Sequence, residues 1–598
     1  MLLFLILMNN GYYPWDGTLL PATPSFEAAG QKSLSENFND MFNNIKIEAL
    51  LNKMTLEEKI GQMALVEKNS IRPEDIQNKN IGALLSGGGG NPTPNTPDSW
   101  LEMVSQFSNA ALDSPLGIPL LYAVDAVHGH GNVKGATIFP HNIGLGATKN
   151  PELVRKIGEA TAEEMKATGV YWNLAPSLDV PKDIRWGRTF EGYSENPELV
   201  SELGIAYIKG LQSRGVMATP KHYLGAGGTG WQSSIHPSYK LDQGNNNMGE
   251  EELRKIFLAP FKKAVLEGVM SIMVSHNSWQ SAPLHSHHYL LTTVLKEELG
   301  FEGFLLSDWQ AVDNLPGDYQ DKLSQAVNAG VDMVMVPHDY DKFIETLADA
   351  VRQNKVSEKR IDDAVRRILK AKFNLGLFNS NPPALAASAS GVGKDGHRQL
   401  ARQAVRESIV ILKNDSNFLP ILKNAKSIFV AGEAADDIGI QSGGWTIEWQ
   451  GQAGNITPGT TILSAIKNAT SKDTVVSYAP DGKVFSNQDN KKIPGLAEVG
   501  IAVVGERPYA EGFGDKEELT LSKEDIESIN NLKKQSKKLI VVLISGRPLD
   551  ISKHIGDWEA VLAAWLPGTE GQGVADILFG DYPATGQLPY PWPNLKPF

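Results

Sequence analysis

Between Pro119 and Pro337 the chain alternates short, mostly apolar runs with longer segments of helical period. The runs fall at residues 121–124, 171–174, 216–219, 271–274, 304–307 and 333–336. Near-continuous hydrophobicity, without a polar residue at every second position, is how a parallel strand covered on both faces reads. Helix starts are marked as clearly. Thr55 and Glu58 form a capping box opening a helix through Ile60 and Met63. Asn150 caps a helix with Pro151 in its first position, running towards Gly169. Ser357 caps another, in which Ile361, Ala364, Val365, Ile368 and Leu369 recur at helical spacing up to Gly376. Strand–helix alternation predicts a parallel sheet with crossover helices, most simply a (β/α)8-type TIM barrel, with a doubly wound sheet as the alternative.

Asn381–Gly391, rich in Pro, Ala and Ser, breaks this pattern and reads as an interdomain linker. A second α/β pattern follows, with strands predicted at 408–412, 428–430, 475–478, 501–504, 540–544 and 561–564 and a helix over 523–537. Residues 9–45, rich in Asn, Pro, Gly and Ser, read as an irregular lead-in. The predicted organisation is therefore a lead-in over 1–45, a barrel over 46–378, a linker over 379–396 and an α/β sandwich over 397–598.

Composition narrows the chemistry. A net charge of −13 with no basic tract argues against nucleic acid as a partner. The absence of Cys removes disulfides, thiolate metal sites and cysteine nucleophiles, and is compatible with an oxidising compartment. No run reaches the ~20 apolar residues of a membrane span. The apolar Met1–Met8 fits either the end of a secretory segment or a packed N-terminus. A periplasmic or extracellular protein is expected, as monomer or homodimer, with the cytoplasm as the alternative.

Candidate chemistry gathers at the C-terminal ends of the predicted strands. Asp125 follows the first, Lys221 and His222 the third, His276 the fourth and Asp308 the fifth. In an α/β barrel that rim is where active sites are built. Asp308 sits between Ser307 and Trp309, a carboxylate beside an indole able to stack on a sugar face. A glycosidase needs two carboxyl groups flanking the scissile bond. The second is sought in the glycine-rich stretch Gly505–Asp515, where Glu506, Glu511 and Asp515 are all eligible on spacing alone. Trp445 and Trp449, four residues apart, read either as a core pair at helical spacing or, after Gly443-Gly444 and with β-branched Ile447 between, as an exposed loop platform for a sugar. His128/His130 and His285/His287/His288 lack metal-site spacing, so no metal is expected. Gly87–Gly90 is not followed by the Lys-Ser/Thr of a phosphate loop. Gly225–Gly230 matches a dinucleotide fingerprint by letter, without the helix that must follow it.

Taken together, the motifs Val124–Gly129, Arg185–Arg188, Lys221–Tyr223, Ser307–Trp309, Gly443–Trp449 and Trp565–Gly568 resemble glycoside hydrolase family 3, over roughly residues 50–595. The resemblance is to its two-domain branch of β-glucosidases and plant-type β-D-glucan exohydrolases. It implies a retaining enzyme that releases glucose from non-reducing ends of β-linked gluco-oligosaccharides, without cofactor. In that pattern Asp308 is the nucleophile and Glu511 the acid/base. Asp125, Arg188, Lys221 and His222 match residues that grip the terminal glucose, and Trp309 and Trp449 match the pair that sandwiches the next sugar. Met273, His276 and Met335 match further lining positions. Three residues depart from the pattern: Ala226 where Asp is usual, Asn314 where the plant enzymes have Arg, and His276 where they have Tyr. Alternatives implied by the same resemblance are a β-xylosidase or N-acetylhexosaminidase; a non-catalytic glycan-binding protein on this fold is the rival from another class.

Overall fold

The computed structural model describes residues 34–379, 388–484 and 495–594. Met1–Met8 and residues 380–387 of the linker lie outside the described residues. Of the stretch read as an irregular lead-in, the described part is helical, over Leu34–Leu51. Its described side chains anchor through Ile47 and Leu51, buried and four residues apart on one face, while Phe42 and Ile45 are exposed.

Among the described residues, eight parallel strands close into a ring. They are β1 (Ala64–Glu67), β2 (Ala83–Ser86), β3 (Leu121–Val124), β4 (Trp172–Asn173), β5 (Met217–Ala218), β6 (Ser271–Met273), β7 (Phe304–Leu306) and β8 (Val334–Met335). Neighbours from β8 through β1 to β5 form one hydrogen-bonded sheet, and β6 pairs with β7. Bridges Tyr223–Val274 and Leu306–Met333 complete the circle. A barrel, not a doubly wound sheet, is what forms. The strands are buried almost throughout, and Trp172 meets Phe304 edge-on at 5.6 Å.

Six of the eight strands follow the predicted runs; β1 and β2 do not. β1 begins two residues after the capping-box helix Leu56–Gln62, so its apolar residues read as a continuation of that helix. β2 is only Ala-Leu-Leu-Ser before the Gly87–Gly90 loop, too short to stand out. The predicted caps form: Thr55 and Glu58 exchange both capping-box bonds, Asn150 accepts from Leu153 N–H, and Ser357 accepts from Arg360 N–H.

The second α/β unit carries a six-stranded sheet of β9 (Val410–Asn414), β10 (Ser427–Ala431), β11 (Val475–Tyr478), β12 (Val499–Gly505), β13 (Leu539–Ile544) and β14 (Ala560–Trp565). Its order is β9-β14-β13-β12-β10-β11, with β9 antiparallel and the rest parallel. All six residues of β13 are buried, as a central parallel strand requires. The loops following β10 and β12 carry this unit's residues to the barrel rim.

Candidate active site

A cavity of about 840 Å³ opens where the barrel rim meets the second unit, within the range of roughly 300–1,000 Å³ typical of ligand sites. All eleven predicted site residues line it. From the barrel come Asp125 after β3, Arg188 after β4, Lys221 and His222 after β5, Met273 and His276 at the end of β6, Asp308 and Trp309 after β7, and Met335 in β8. From the second unit come Trp449 and Glu511. Ala226 and Asn314 line it too, and Asn314 Nδ2 lies 3.4 Å from His276 Nε2.

Asp308 is half-buried, and its Oδ1 accepts the Trp309 N–H at 2.7 Å. Burial alone would raise its pKa, but His222, His276 and Arg188 outweigh this and hold it below the ordinary carboxylate value. The Asp308 N–H donates to His285 Nε2 at 3.0 Å. Burial pushes the His285 pKa down to about 3, so the ring stays neutral and that nitrogen can accept. The histidine trio considered for metal thus supplies an orienting contact to Asp308.

Glu511 is driven the other way. Burial, opposed by Arg188 and reinforced by Asp242, Asp308 and Glu191, raises its pKa to about 8. Arg188 Nη1 lies 3.6 Å from its Oε1. Its backbone is left-handed, φ 54°, a conformation costing a non-glycine residue about 1–2 kcal/mol. Such strain persists only where surrounding contacts impose it. Gly187 lets the Glu511 carbonyl pass so close that a Cβ there would stand 1.9 Å from its oxygen.

The other two acidic residues of that stretch are occupied. Glu506 pairs with buried Arg547 at 3.1 Å and accepts the Tyr509 hydroxyl at 2.9 Å. Asp515 accepts four backbone N–H groups. Of the three, Glu511 is the one lining the cavity. Removing one partner of a buried ion pair costs about 3–5 kcal/mol. Arg547→Ala is accordingly expected to lower stability by about that amount, read from the shift in the urea midpoint.

Around these two carboxyls the polar residues are cross-braced. Lys221 Nζ donates to Asp125 Oδ1 at 2.7 Å and lies over the Trp445 ring at 5.5 Å. His222 Nδ1 faces Asp179 Oδ2 at 2.7 Å, and its Nε2 lies 3.1 Å from Arg188 Nη2. Arg188 grips Glu191 with two bonds of 2.9 Å, and the Trp445 indole N–H donates to Glu191 Oε1 at 3.2 Å. Asp179 and Asp242 carry no signal in the sequence, and His285 shows there only as a member of a histidine cluster. Glu191 was also missed and leaves only a trace, standing three residues beyond Arg188, as an ion-paired partner on one turn would.

Of the indole pair, Trp445 is buried in the cavity wall and Trp449 half-exposed. Trp445 and Ile447 both have positive φ, 58° and 62°, and the loop is held by Trp445 N–H on the Trp449 carbonyl and Ile447 N–H on the Gly131 carbonyl. Trp309 is 37% exposed, its ring meeting His338 edge-on at 6.0 Å. His128, the first of the other histidines weighed for metal, spends both ring nitrogens on Phe139 O and Thr446 Oγ1 and stacks on His141 at 3.6 Å. Gly225–Gly230 forms a short 3-10 turn over Ala226–Gly228 and opens no α-helix.

Two carboxyl groups, one favoured ionised and the other favoured protonated by their surroundings, in a cavity walled by indoles and polar side chains at a barrel rim, fit a glycoside hydrolase acting on O-glycosyl bonds. Residues 55–371 match the model of the glycosyl hydrolase family 3 N-terminal domain, and residues 409–596 that of its C-terminal domain. The chain belongs to glycoside hydrolase family 3. It is similar to the lysosomal β-glucosidase of Dictyostelium discoideum, 31% identical over 94% of this chain and 73% of that one. To the periplasmic β-glucosidase of Salmonella typhimurium it is 30% identical, over 94% and 75%. A crystal structure of a Q683A mutant of the exo-1,3/1,4-β-glucanase of a Pseudoalteromonas species superposes with a TM-score of 0.85 and 39% identity, covering 92% of this chain and 91% of the other. No helix among the described residues is long and apolar enough to cross a membrane.

Proposed function

We propose that the protein is an exo-acting, retaining β-glucosidase that releases glucose from the non-reducing ends of β-linked gluco-oligosaccharides. The observation that carries this is that Asp308 from the barrel and Glu511 from the second unit line one cavity, in surroundings that favour the ionised form of the first and the protonated form of the second. Asp308, ionised, attacks the anomeric carbon while Glu511 gives its proton to the departing oxygen, leaving glucose esterified to Asp308. Water then attacks the same carbon and Glu511, now a carboxylate, takes its proton; free glucose leaves and Asp308 regains its charge. Asp125, Lys221, His222 and Arg188 hold the sugar hydroxyls, with Met273, His276 and Met335 completing the wall. Trp309 and Trp449 take the following glucosyl unit. A periplasmic or extracellular location is part of the same reading, supported by the periplasmic relative.

The test is to follow hydrolysis of 4-nitrophenyl β-D-glucoside by NMR. The first-formed sugar is expected to be β-glucose; α-glucose as the first product would refute retention, and a clear preference for the β-xyloside would refute the glucoside reading. Initial rates on laminari-, cello- and sophoro-oligosaccharides then rank the linkages.

A further inference from the structure

The acid-bearing turn is fastened to the barrel at a point that no catalytic role explains. Asp515 lies four residues beyond Glu511. Its Oδ1 accepts the Gly187 N–H at 2.8 Å, and its Oδ2 accepts those of Lys240, Leu241 and Asp242 at 2.8, 2.7 and 3.0 Å. One carboxylate from the second unit thus ties together two separate barrel loops. Between Asp515 and Glu511, the Gly512 N–H donates to Asp242 Oδ2 at 3.2 Å, and Gly512 lies flat on the Tyr239 ring, where a Cβ would stand 2.1 Å from Cγ. The turn closes on itself through Asp515 N–H to the Gly512 carbonyl at 3.1 Å.

We infer that Asp515 is a positioning residue for the acid/base step: by collecting four barrel N–H groups it seats the Glu511 turn against the leaving-group oxygen. The inference rests on Glu511 being the acid. A carboxylate suits this task because both its oxygens accept and its charge strengthens each bond. Asn offers one accepting oxygen for two directions of donors, so at least one N–H group is left facing an NH2. The left-handed Glu511 backbone then has less to hold it, and the carboxyl drifts from the line of proton transfer. Misplacement on that scale does not touch Asp308, which is oriented from β7 and by His285. The defect therefore falls on proton delivery and spares the attack.

The experiment compares kcat/KM, which reports the first bond cleavage, on phenyl and 2,4-dinitrophenyl β-D-glucosides. Only the phenyl compound needs its leaving oxygen protonated. Wild type, Asp515→Asn, Asp515→Ser and Glu511→Gln are measured per active site, counted by the dinitrophenol burst from a 2-deoxy-2-fluoro-β-glucoside. Both Asp515 variants are expected to lose about 100-fold on the phenyl glucoside and to keep most of their rate on the dinitrophenyl one. Equal losses on both substrates, no loss on either, or no countable site in either Asp515 variant would each overturn the positioning role. If Glu511→Gln itself shows no such split, the acid assignment fails, whatever the Asp515 variants do.

Discussion

Asp308→Asn is expected to reduce kcat on aryl β-glucosides by at least about 10⁴-fold, the scale on which removing a covalent nucleophile acts. Asn is close to isosteric, and its carbonyl oxygen can still accept the Trp309 N–H that Asp308 Oδ1 accepts. The His285 contact is made to the backbone and is untouched. The loss therefore measures nucleophilicity rather than folding; because the depressed pKa of Asp308 means its charge favours the folded state, the variant should melt somewhat below wild type at pH 7 and nearer to it at low pH. Mass spectrometry of wild type treated with a 2-deoxy-2-fluoro-β-glucoside should place the label on the peptide containing Asp308. Substantial turnover by Asp308→Asn, or a label on another carboxylate, would refute the proposed mechanism. In Asp308→Gly, azide is expected to restore turnover by entering the vacated space, forming the α-glucosyl azide.

The second large effect concerns pH. The proposed mechanism needs Asp308 ionised and Glu511 protonated. The rate therefore falls as pH drops through the depressed Asp308 pKa, and again as pH rises through about 8, where Glu511 loses its proton. Glu511→Gln should abolish the alkaline fall and cost about 10²–10⁴-fold on substrates with poor leaving groups. Stability carries the same signature with a definite sign. The folded-state pKa of Glu511 lies above its unfolded value, so folding favours the proton. Its contribution is most favourable below the ordinary carboxylate range and is lost progressively as pH rises towards about 8. Glu511→Gln removes that dependence, so its melting temperature relative to wild type should be higher at pH 8 than at pH 5. A wild-type kcat/KM profile flat across pH 7–9 would contradict the assignment.

Much of this site was legible along the chain because parallel barrels place chemistry at strand ends, and strand ends are visible as sudden polarity. Asp125, Lys221, His222, His276 and Asp308 were all found in that way. Choosing among Glu506, Glu511 and Asp515 could not be done by spacing, because the choice is made by partners remote in sequence. Arg547 claims Glu506, and the backbones of Gly187 and Lys240–Asp242 claim Asp515. Only the resemblance to a family singled out Glu511 in advance. Asp179 and Asp242 were invisible for a related reason: each is a lone carboxylate whose role is set by an imidazole or an amide from another element. β1 and β2 were missed because four-residue strands beside a helix and a glycine loop leave too little pattern to read.

The left-handed backbone at Glu511 has a consequence for how the enzyme should fail. The proposed acid is poised by contacts with the barrel rather than by its own strand, so on that mechanism the working arrangement is a product of docking between two separately layered bodies. Mild denaturant that loosens their contact should silence cleavage of ordinary glucosides while each body keeps its circular dichroism. Hydrolysis of unactivated substrate then becomes a gauge of whether the two bodies are seated, more sensitive than any measure of their folding.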